Sequence, residues 1–178
     1  MKIYRMSPYT GNKYAYIEDT GFREIVRDII KGVKIEKPED KFILKNISKK
    51  FPDLMGTGSS ELFLSDELKL FFESNIQKEE LNFIPYLINK RQYWLLNIVG
   101  LRDCMDYEKS DYTTYSHNGF INEIKNLVVK EEKINIFDVF RLKDKPVNIF
   151  VTESVKLKID ELNFSGIDFE DNMDLTFG

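Results

Sequence analysis

Hydrophobic positions along this chain repeat with two different periods, and the change of period marks where helices and strands are expected. Between Gly21 and Lys31 the apolar side chains fall at the spacing of one helix face, and Gly32 supplies the residue type that often ends a helix in the left-handed conformation. Thr20 is suited to cap the first turn. We predict an amphipathic helix here with one buried stripe, formed by Phe22, Ile25, Val26, Ile29 and Ile30.

Short aromatic and aliphatic runs bounded by turn residues predict strands. Residues 2–5 and 14–18 flank a cluster of turn formers and are predicted to pair as a hairpin. Residues 81–88 and 93–99 are joined by four polar residues, which favours a second antiparallel hairpin with Pro85 at an edge or a bulge. Further strands are predicted at residues 42–47, 101–105, 124–130, 137–142, 147–151 and 167–169.

One sequence pattern occurs twice: an apolar strand, a Ser or Thr that can cap a helix, an acidic residue, and then an amphipathic helix. Aligned on Phe63 and Phe150, which lie 87 positions apart, the two copies place Ser65 and Thr152 before their helices. They also match Leu68 with Val155, Lys69 with Lys156 and Leu70 with Leu157. Two copies do not by themselves establish a duplication. The side chains predicted to face inward are Leu68, Phe71 and Phe72 in the first helix and Val155, Ile159 and Leu162 in the second.

Many short strands, about three helices and no sustained alternation of strand and helix predict an α+β fold, in which the helices pack on a largely antiparallel sheet. The length of 178 residues suits one domain, and the sequence leaves open a smaller N-terminal lobe over residues 1–50. Residues 51–60 are rich in Pro, Gly and Ser and are predicted to form a loop. Because Gly58 is followed by Ser59 and not by Lys, this loop lacks the Walker phosphate-binding pattern.

Composition excludes several classes of protein. Hydrophobic residues make up 42% of the chain, with 14 Phe, 9 Tyr and 1 Trp, which is enough to form a globular core. The single Cys104 cannot close an intrachain disulfide, and one histidine cannot complete a Cys/His zinc site. The N-terminus lacks the apolar core of a signal peptide, and the apolar run at residues 93–101 is far shorter than the ~20 residues of a membrane span. We expect a cytoplasmic protein with no membrane association, no metal and no cofactor.

Negative charge is concentrated at the C-terminal end. The net charge of −4 argues against binding to a nucleic-acid backbone. Residues 159–178 hold six acidic residues and no Lys or Arg, so this end is either a solvated tail or a patch that attracts a basic partner. Residues 168–174 lack the glycine and the distal glutamate of a calcium loop. As candidate partner-binding residues at this end we select Asp168, Glu170, Asp171 and Asp174.

Catalytic and metal-binding candidates are few. Cys104 and His117 are the one available pairing of a thiol with an imidazole, and the simpler interpretation places Cys104 in a strand and His117 in a turn. Asp103, Asp106 and Asp111 form the densest internal group of carboxylates, but their spacing does not demand a metal or glycoside hydrolysis.

Tyrosines cluster in a polar stretch. Tyr107, Tyr112 and Tyr115 lie among charged and hydroxylated residues, so their rings cannot all belong to a core. Tyrosine is enriched at the energetic centres of protein interfaces. These residues are therefore further candidates for binding a partner, and the alternative is that they cover the edge of the core with their hydroxyls in water.

A series of motifs follows a recognisable order along residues 50–170. These motifs are Phe51-Pro52-Asp53-Leu54, Leu64-Ser65-Asp66-Glu67-Leu68-Lys69, Asn82-Phe83-Ile84-Pro85, Tyr93-Trp94-Leu95-Leu96-Asn97, Asp103-Cys104-Met105-Asp106, Phe140-Arg141-Leu142, Val151-Thr152-Glu153-Ser154 and Phe164-Ser165-Gly166-Ile167-Asp168-Phe169. Their order resembles the immunity protein 11 family, first catalogued as a domain of unknown function and then assigned by genomic neighbourhood to bacterial polymorphic toxin systems.

The resemblance implies a cytoplasmic antitoxin that binds a cognate toxin protein and blocks it without catalysis. The family has no established catalytic residues, so none is carried over to this chain. Two other functions stay open. One is a small hydrolase or transferase that uses Cys104 with His117, or the carboxylates of Asp103 and Asp106. The other is a structural adaptor associated with phage or secretion. The sequence also leaves homo-oligomerisation open and gives no reason to expect nucleic acid as a partner.

Overall fold

The helices and strands come from a computed structural model, which describes residues 1–9, 15–17, 22–36, 44–46, 50–56, 61–116, 119 and 121–171. Within these ranges the α-helices are α1 (Phe22–Ile30), α2 (Asp66–Asn75) and α3 (Glu153–Glu161), with short 3-10 helices at Lys78–Glu80 and Glu131–Lys133. None of these helices has the length and apolar character that a bilayer crossing requires. The strands are β1 (Ile3–Pro8), β2 (Ala15–Ile17), β3 (Leu44–Asn46), β4 (Leu54–Gly56), β5 (Leu62–Leu64), β6 (Leu81–Ile88), β7 (Arg91–Ile98), β8 (Asp111–Thr114), β9 (Ile121–Asn126), β10 (Val139–Leu142), β11 (Lys145–Thr152) and β12 (Ile167–Glu170).

Most strands belong to two sheets. Sheet A has the order β10-β11-β1-β12, and its neighbours are antiparallel. Sheet B has the order β2-β3-β6-β7-β5-β4, in which β3 pairs with β6 in parallel and the other neighbours are antiparallel. β8 and β9 pair separately. The predicted α+β fold with largely antiparallel pairing is confirmed. The strands predicted at residues 42–47, 124–130, 137–142, 147–151 and 167–169 correspond to β3, β9, β10, β11 and β12.

The main core lies between the two sheets. It collects apolar side chains from one face of each sheet and from both helices that follow the repeated sequence pattern, among them Leu68, Phe72, Val155 and Ile159. The other face of sheet B packs against α1 through Ile25 and Ile29. The other face of sheet A packs against β9 and the segment around Cys104. Each sheet is therefore covered on both faces over part of its area.

Two parts of the chain build the same arrangement of four antiparallel strands and one helix. In spatial order, the first unit is β4-β5-β7-β6 with α2, and the second unit is β10-β11-β1-β12 with α3. In the first unit the third strand is β7, which forms a hairpin with the fourth strand, β6. In the second unit the third strand is the N-terminal strand, β1. The registers agree, because Leu64 lies opposite Trp94 while Val151, its aligned counterpart, lies opposite Tyr4. The repeated sequence pattern thus marks two copies of one architecture.

The predicted N-terminal hairpin is wrong. β1 pairs with β11 along one edge and with β12 along the other, whereas β2 belongs to sheet B and pairs with β3. The turn formers between β1 and β2 suit a hairpin locally. However, Ile3 on one face of β1 and Tyr4 and Met6 on the other are all buried, which is typical of a central strand. Burial on both faces therefore decides the partners of β1.

Part of the predicted loop at residues 51–60 is a strand. β4 pairs with β5 at the edge of sheet B, although Pro52 precedes it and Gly56 ends it. Leu54 and Met55 are at most 2% exposed, so the burial of these side chains outweighs the turn propensity of their neighbours. Residues 57–60 lie outside the described part of the chain.

Two smaller predictions are also wrong. Residues 101–105 do not form a strand, because their pairing is limited to isolated bridges at Arg102 and Met105. Leu162 is not an inward-facing residue of α3. It is the C-cap of that helix and is 49% exposed, since the helix ends before the apolar stripe reaches this position.

The predicted central hairpin is confirmed. β6 and β7 pair over eight positions, and the connecting turn is Asn89-Lys90, with φ angles of 49° and 67°. Positive φ at both turn residues is typical of the tight hairpin turn that matches strand twist. Pro85 pairs with Trp94 in regular register, without a bulge. Among the described residues β3 pairs with β6 at Ile88, so the part of β6 that contains Pro85 has an open edge. Of the two predicted explanations for Pro85, an edge or a bulge, the edge is therefore correct.

The predicted N-terminal helix is confirmed as α1. Gly32 follows it with a φ of 67°, and its N–H donates to the Ile29 carbonyl oxygen at 3.0 Å. An added Cβ at Gly32 would lie 2.9 Å from the backbone of Gly100, so a glycine is required there by both conformation and space. The predicted cap, Thr20, lies outside the described residues.

Candidate functional site

Cys104 lacks the surroundings of a catalytic thiol. Its side chain is fully buried on the outer face of sheet A, where it packs with the apolar residues Met105 and Val129. This burial raises the pKa of Cys104 to about 11. The thiol is therefore protonated at neutral pH, whereas a nucleophilic cysteine needs a lowered pKa and access to substrate. His117, the other half of the predicted pair, lies outside the described residues.

The carboxylate of Asp106 has a structural task. Its Oδ1 accepts hydrogen bonds from the backbone N–H groups of Glu108 and Lys109, and its Oδ2 pairs with Lys109 Nζ at 3.1 Å. The hydrogen bond from Lys109 lowers the pKa of Asp106. Within the described residues, no group of three His, Cys, Asp or Glu side chains is placed to hold a metal ion. Of the carboxylates of Asp103, Asp106 and Asp111, that of Asp106 therefore stabilises a turn through its hydrogen bonds.

The predicted tyrosine patch is partly assembled. The Tyr107 hydroxyl donates to Oδ2 of Asp144 at 2.5 Å, and this hydrogen bond raises the pKa of Tyr107. Its ring meets Tyr112 edge to face, with centroids 5.9 Å apart. Tyr107 and Tyr115 are 40% and 45% exposed, while Tyr112 is half-buried against the core beneath it. The structure therefore brings Tyr107 and Tyr112 together on the surface.

The acidic end is not a free tail over residues 168–171. Asp168 and Glu170 belong to β12, whose neighbour is β1. Glu170 pairs with Arg5 at 2.6 Å, and Asp171 pairs with Lys2 at 2.5 Å. Two of the predicted partner-binding acids thus already have basic partners inside the chain. Asp174 lies outside the described residues.

The tyrosine patch and the acidic end lie at opposite corners of sheet A. Tyr107 is bonded to the turn between β10 and β11, at one edge of the sheet, whereas Asp171 follows β12 at the other edge. Lys2, the partner of Asp171, adjoins the end of β1 that faces Thr152, and Thr152 lies at the far end of β11 from Asp144. The two predicted patches therefore do not form one continuous surface.

The Phe140-Arg141-Leu142 motif is internal. All three side chains are at most 1% exposed. Arg141 Nη1 donates to the Pro146 carbonyl oxygen at 2.6 Å, and burial lowers the pKa of Arg141 to about 10. A folded chain does not present these side chains to a partner, so the motif serves the structure of sheet A.

A surface that the sequence did not indicate lies beside α2. The ring nitrogen of Trp94 donates to Asp66 Oδ1 at 2.6 Å. Lys69 Nζ lies 4.6 Å from the centre of the Trp94 ring and 5.3 Å from that of Phe83, and it also pairs with Glu73 at 2.6 Å. Cation–π contact and hydrogen bonding therefore hold the indole in a fixed orientation.

The sheet next to Trp94 is uncovered and apolar. Side chains alternate along β6, so Phe83, Pro85 and Leu87 share one face with Trp94, which lies opposite Pro85. Exposure increases along this face toward the turn, from half-buried Phe83 to Leu87, which is 63% exposed. Leu70 of α2 is 58% exposed and shares the side of the helix that carries Asp66. The hairpin face, as we name this surface, consists of Leu70, Phe83, Pro85, Leu87 and Trp94.

The alternation in residues 81–88 could have assigned Phe83, Pro85 and Leu87 to one face, but it does not say how far α2 covers that face.

Comparison with known proteins identifies a family. A family model described as an immunity protein family (Imm11) matches residues 15–174. No curated protein matches the sequence. The matched range includes the hairpin face, the tyrosines and the described part of the acidic end, so it does not single out one surface.

Proposed function

Because the chain belongs to the Imm11 immunity protein family, we propose that it binds a cognate toxin domain and neutralises it by protein–protein association. The family match over nearly the whole chain is the observation that carries this proposal. In this proposal the protein acts in the cytoplasm of a bacterium that carries a polymorphic toxin system, and it protects the producer and its kin.

The described chemistry supports a role that does not involve catalysis. The single thiol, Cys104, is buried and protonated, and the carboxylate of Asp106 is engaged in a turn. Among the described residues, the candidate surfaces for a partner are the tyrosine patch, the acidic end and the hairpin face. An interface of ordinary size buries about 1,200–2,000 Å² in total.

The experiment that tests the proposed function is a growth assay with the protein encoded by the adjacent gene. Induction of that protein alone should stop bacterial growth, and co-expression of this chain should restore growth. The two proteins should then co-purify. If the neighbour is harmless, or if growth is restored without any physical association between the two proteins, the proposal is wrong.

A further inference from the structure

We propose that the hairpin face is the surface that contacts the toxin, through an apolar toxin side chain flanked by arginine or lysine. This inference rests on the proposed function and adds to it the location of the interface and the chemistry of the partner. It is distinct from the two surfaces that the sequence indicated, the tyrosine patch and the acidic end.

The first argument is the comparison of the two units, which shows that the fold does not require this face to be apolar. In the second unit Lys156 lies 5.5 Å from the ring centres of both Tyr4 and Phe169, as Lys69 lies over Trp94 and Phe83 in the first. Beyond those rings, however, the two units differ.

Pro85 lies opposite Trp94 in the first unit. The corresponding place in the second unit, one step beyond the pair of Arg5 with Glu170, is that of Asp171, whose carboxylate pairs with Lys2. At this position the second unit therefore carries an ion pair that suits contact with water, and the first unit carries the exposed Pro85. Leu87 follows in the first unit and is 63% exposed, whereas its counterpart in the second unit lies outside the described residues. An apolar surface where the same architecture elsewhere carries charges is typical of an interaction site.

The second argument is that the centre of the hairpin face is already ordered. Asp66 accepts the indole hydrogen bond, and Lys69 lies over the ring. A partner would therefore not have to bear the entropic cost of fixing Trp94. Tryptophan is also among the residue types that contribute most binding energy when an interface closes over them. Trp94 is half-buried and shares its face of the sheet with the exposed Leu87, which is the composition of such a centre.

The third argument is charge, which selects the chemistry of the partner. On the side of α2 that contacts Trp94, the rim carries Asp66 and Glu73 against the single cation Lys69. The ammonium of Lys69 is turned onto the rings and paired with Glu73. The helix side of the rim is therefore acidic, while Lys90 stands at the hairpin turn. If an apolar side chain of the toxin packs next to Trp94, an arginine or lysine of the toxin near α2 would complement this negative charge.

The test uses the fact that Trp94 is the only tryptophan in the chain. Labelling the full chain with fluorotryptophan gives one fluorine NMR signal, which reports on the hairpin face without interference from tryptophans of the partner. The partner is an inactive variant of the toxin domain encoded by the adjacent gene. We expect the signal to shift and broaden when that domain is added, and acrylamide to quench the fluorescence of Trp94 less in the complex.

Three matched variants measure the contribution of the apolar side chains. Leu70→Lys and Leu87→Lys should each weaken the affinity about tenfold or more, because each places a charge in the apolar centre and repels a basic rim. Leu157→Lys is the control, since Leu157 occupies the corresponding position in the second unit and is 59% exposed. It should leave the affinity unchanged. Circular dichroism and a thermal melt confirm that each variant is folded.

A further pair of variants separates the hairpin face from the tyrosine patch. Glu73→Lys should lower the association rate and weaken its dependence on salt, whereas Glu108→Lys, beside Tyr107, should change neither. The reverse result would place the toxin on the tyrosine patch and would overturn the inference.

The remaining outcomes distinguish the surface from the function. If the wild-type chain binds the toxin domain but the fluorine signal does not move and the Leu70 and Leu87 variants bind as tightly, the surface is wrong and the function stands. If the wild-type chain does not bind the domain at all, both are wrong. If the fluorine signal of the free chain changes with its own concentration and sedimentation shows a dimer through this face, a second copy occupies it and the inference is overturned.

Discussion

The two units of this protein follow the same pattern in the core and differ at their open ends. Phe63 and Phe150 are both fully buried, and the helix lysines Lys69 and Lys156 both lie over aromatic rings. Opposite those rings, the first unit shows the exposed Pro85, whereas the second unit shows the ion pair of Lys2 with Asp171. The difference teaches that the core fixes the architecture, while the edges are free to acquire a function.

The helix starts show a second difference between the units. Ser65 Oγ accepts a hydrogen bond from the Leu68 N–H, which is an ordinary N-cap. Thr152 holds the equivalent place but makes no cap hydrogen bond. Its hydroxyl donates to the Ile136 carbonyl oxygen at 2.7 Å and accepts from the Asp138 N–H at 3.3 Å. The same type of residue therefore stabilises a helix in one unit and a loop in the other.

The largest expected effect tests whether both units belong to one cooperative core. Phe63→Ala and Phe150→Ala should each lower the free energy of unfolding by about 3–5 kcal/mol, because each leaves a cavity in a fully packed site. Chemical denaturation followed by circular dichroism measures both. The exposed Leu157→Ala should stay within about 0.5 kcal/mol of the wild type. Two separate transitions in one variant would show that the units unfold independently.

The next effect concerns alkaline pH and the core on the outer face of sheet A. Burial raises the pKa of Cys104 from 9.0 to about 11, so the folded state holds this proton more tightly than the unfolded state. The stabilisation is present below pH 9 and is lost as the pH rises toward 11, amounting to at most about 3 kcal/mol. Burial also raises the pKa of Tyr86 in the first unit from 10.0 to about 12, so its contribution is lost at higher pH.

Chemical denaturation of the wild type and of Cys104→Ala between pH 8 and pH 11 measures the contribution of Cys104 to the pH dependence of the free energy of unfolding. The wild type should lose stability over this range more steeply than the variant. In addition, a thiol reagent at pH 8 should modify Cys104 only after the chain unfolds. Rapid modification of the folded chain would show that Cys104 is accessible and would reopen its catalytic interpretation.

A smaller effect separates the two helix starts. Thr152→Ala should cost about 1–3 kcal/mol, because it leaves the Ile136 carbonyl and the Asp138 N–H without this partner in a buried place. Ser65→Ala should cost about 1 kcal/mol, the usual value of an N-cap. Thermal unfolding of both variants gives the comparison. Equal losses would mean that the two hydrogen bonds of Thr152 to the loop contribute no more than an ordinary N-cap.

The smallest effect concerns the ion-paired end of the second unit. Glu170→Gln should cost no more than about 1 kcal/mol and should cost less in high salt, since the pair with Arg5 is partly exposed. Asp168→Lys tests the acidic end as a partner surface while leaving both ion pairs of β12 and its extension in place. If the toxin docks there, this variant slows association. Unchanged kinetics would remove the acidic end from the candidate surfaces.

Local patterns predicted the elements that local chemistry controls. The buried Ile25 and Ile29 of α1, the alternation in the β6–β7 hairpin and the cap at Ser65 all appear at the expected residues. The partners of β1 could not be predicted, because they come from residues 145–170, and pairing over such a distance is decided by burial in the whole fold. The ion pair of Glu170 with Arg5 also joins distant parts of the chain, so no local sequence pattern indicated it.

The candidate surfaces were predicted less well than the fold. Sequence located Tyr107 and Tyr112 but not their contact, and it singled out neither Leu70 nor Leu87, because exposure depends on how much of a sheet a helix covers. The likeness to the immunity family was visible in the motifs, and the family match confirms it. The division of residues 1–178 into one domain or a domain with a smaller N-terminal lobe stays a prediction.

The most direct test of the central claim, that this protein neutralises by occupying a toxin and not by chemistry, is a titration of toxin activity with the purified chain. Inhibition by association predicts a linear loss of activity that ends at one chain per toxin domain, independent of incubation time. Loss of activity that continues with time at a small fraction of one equivalent would show turnover by this chain and would contradict the account.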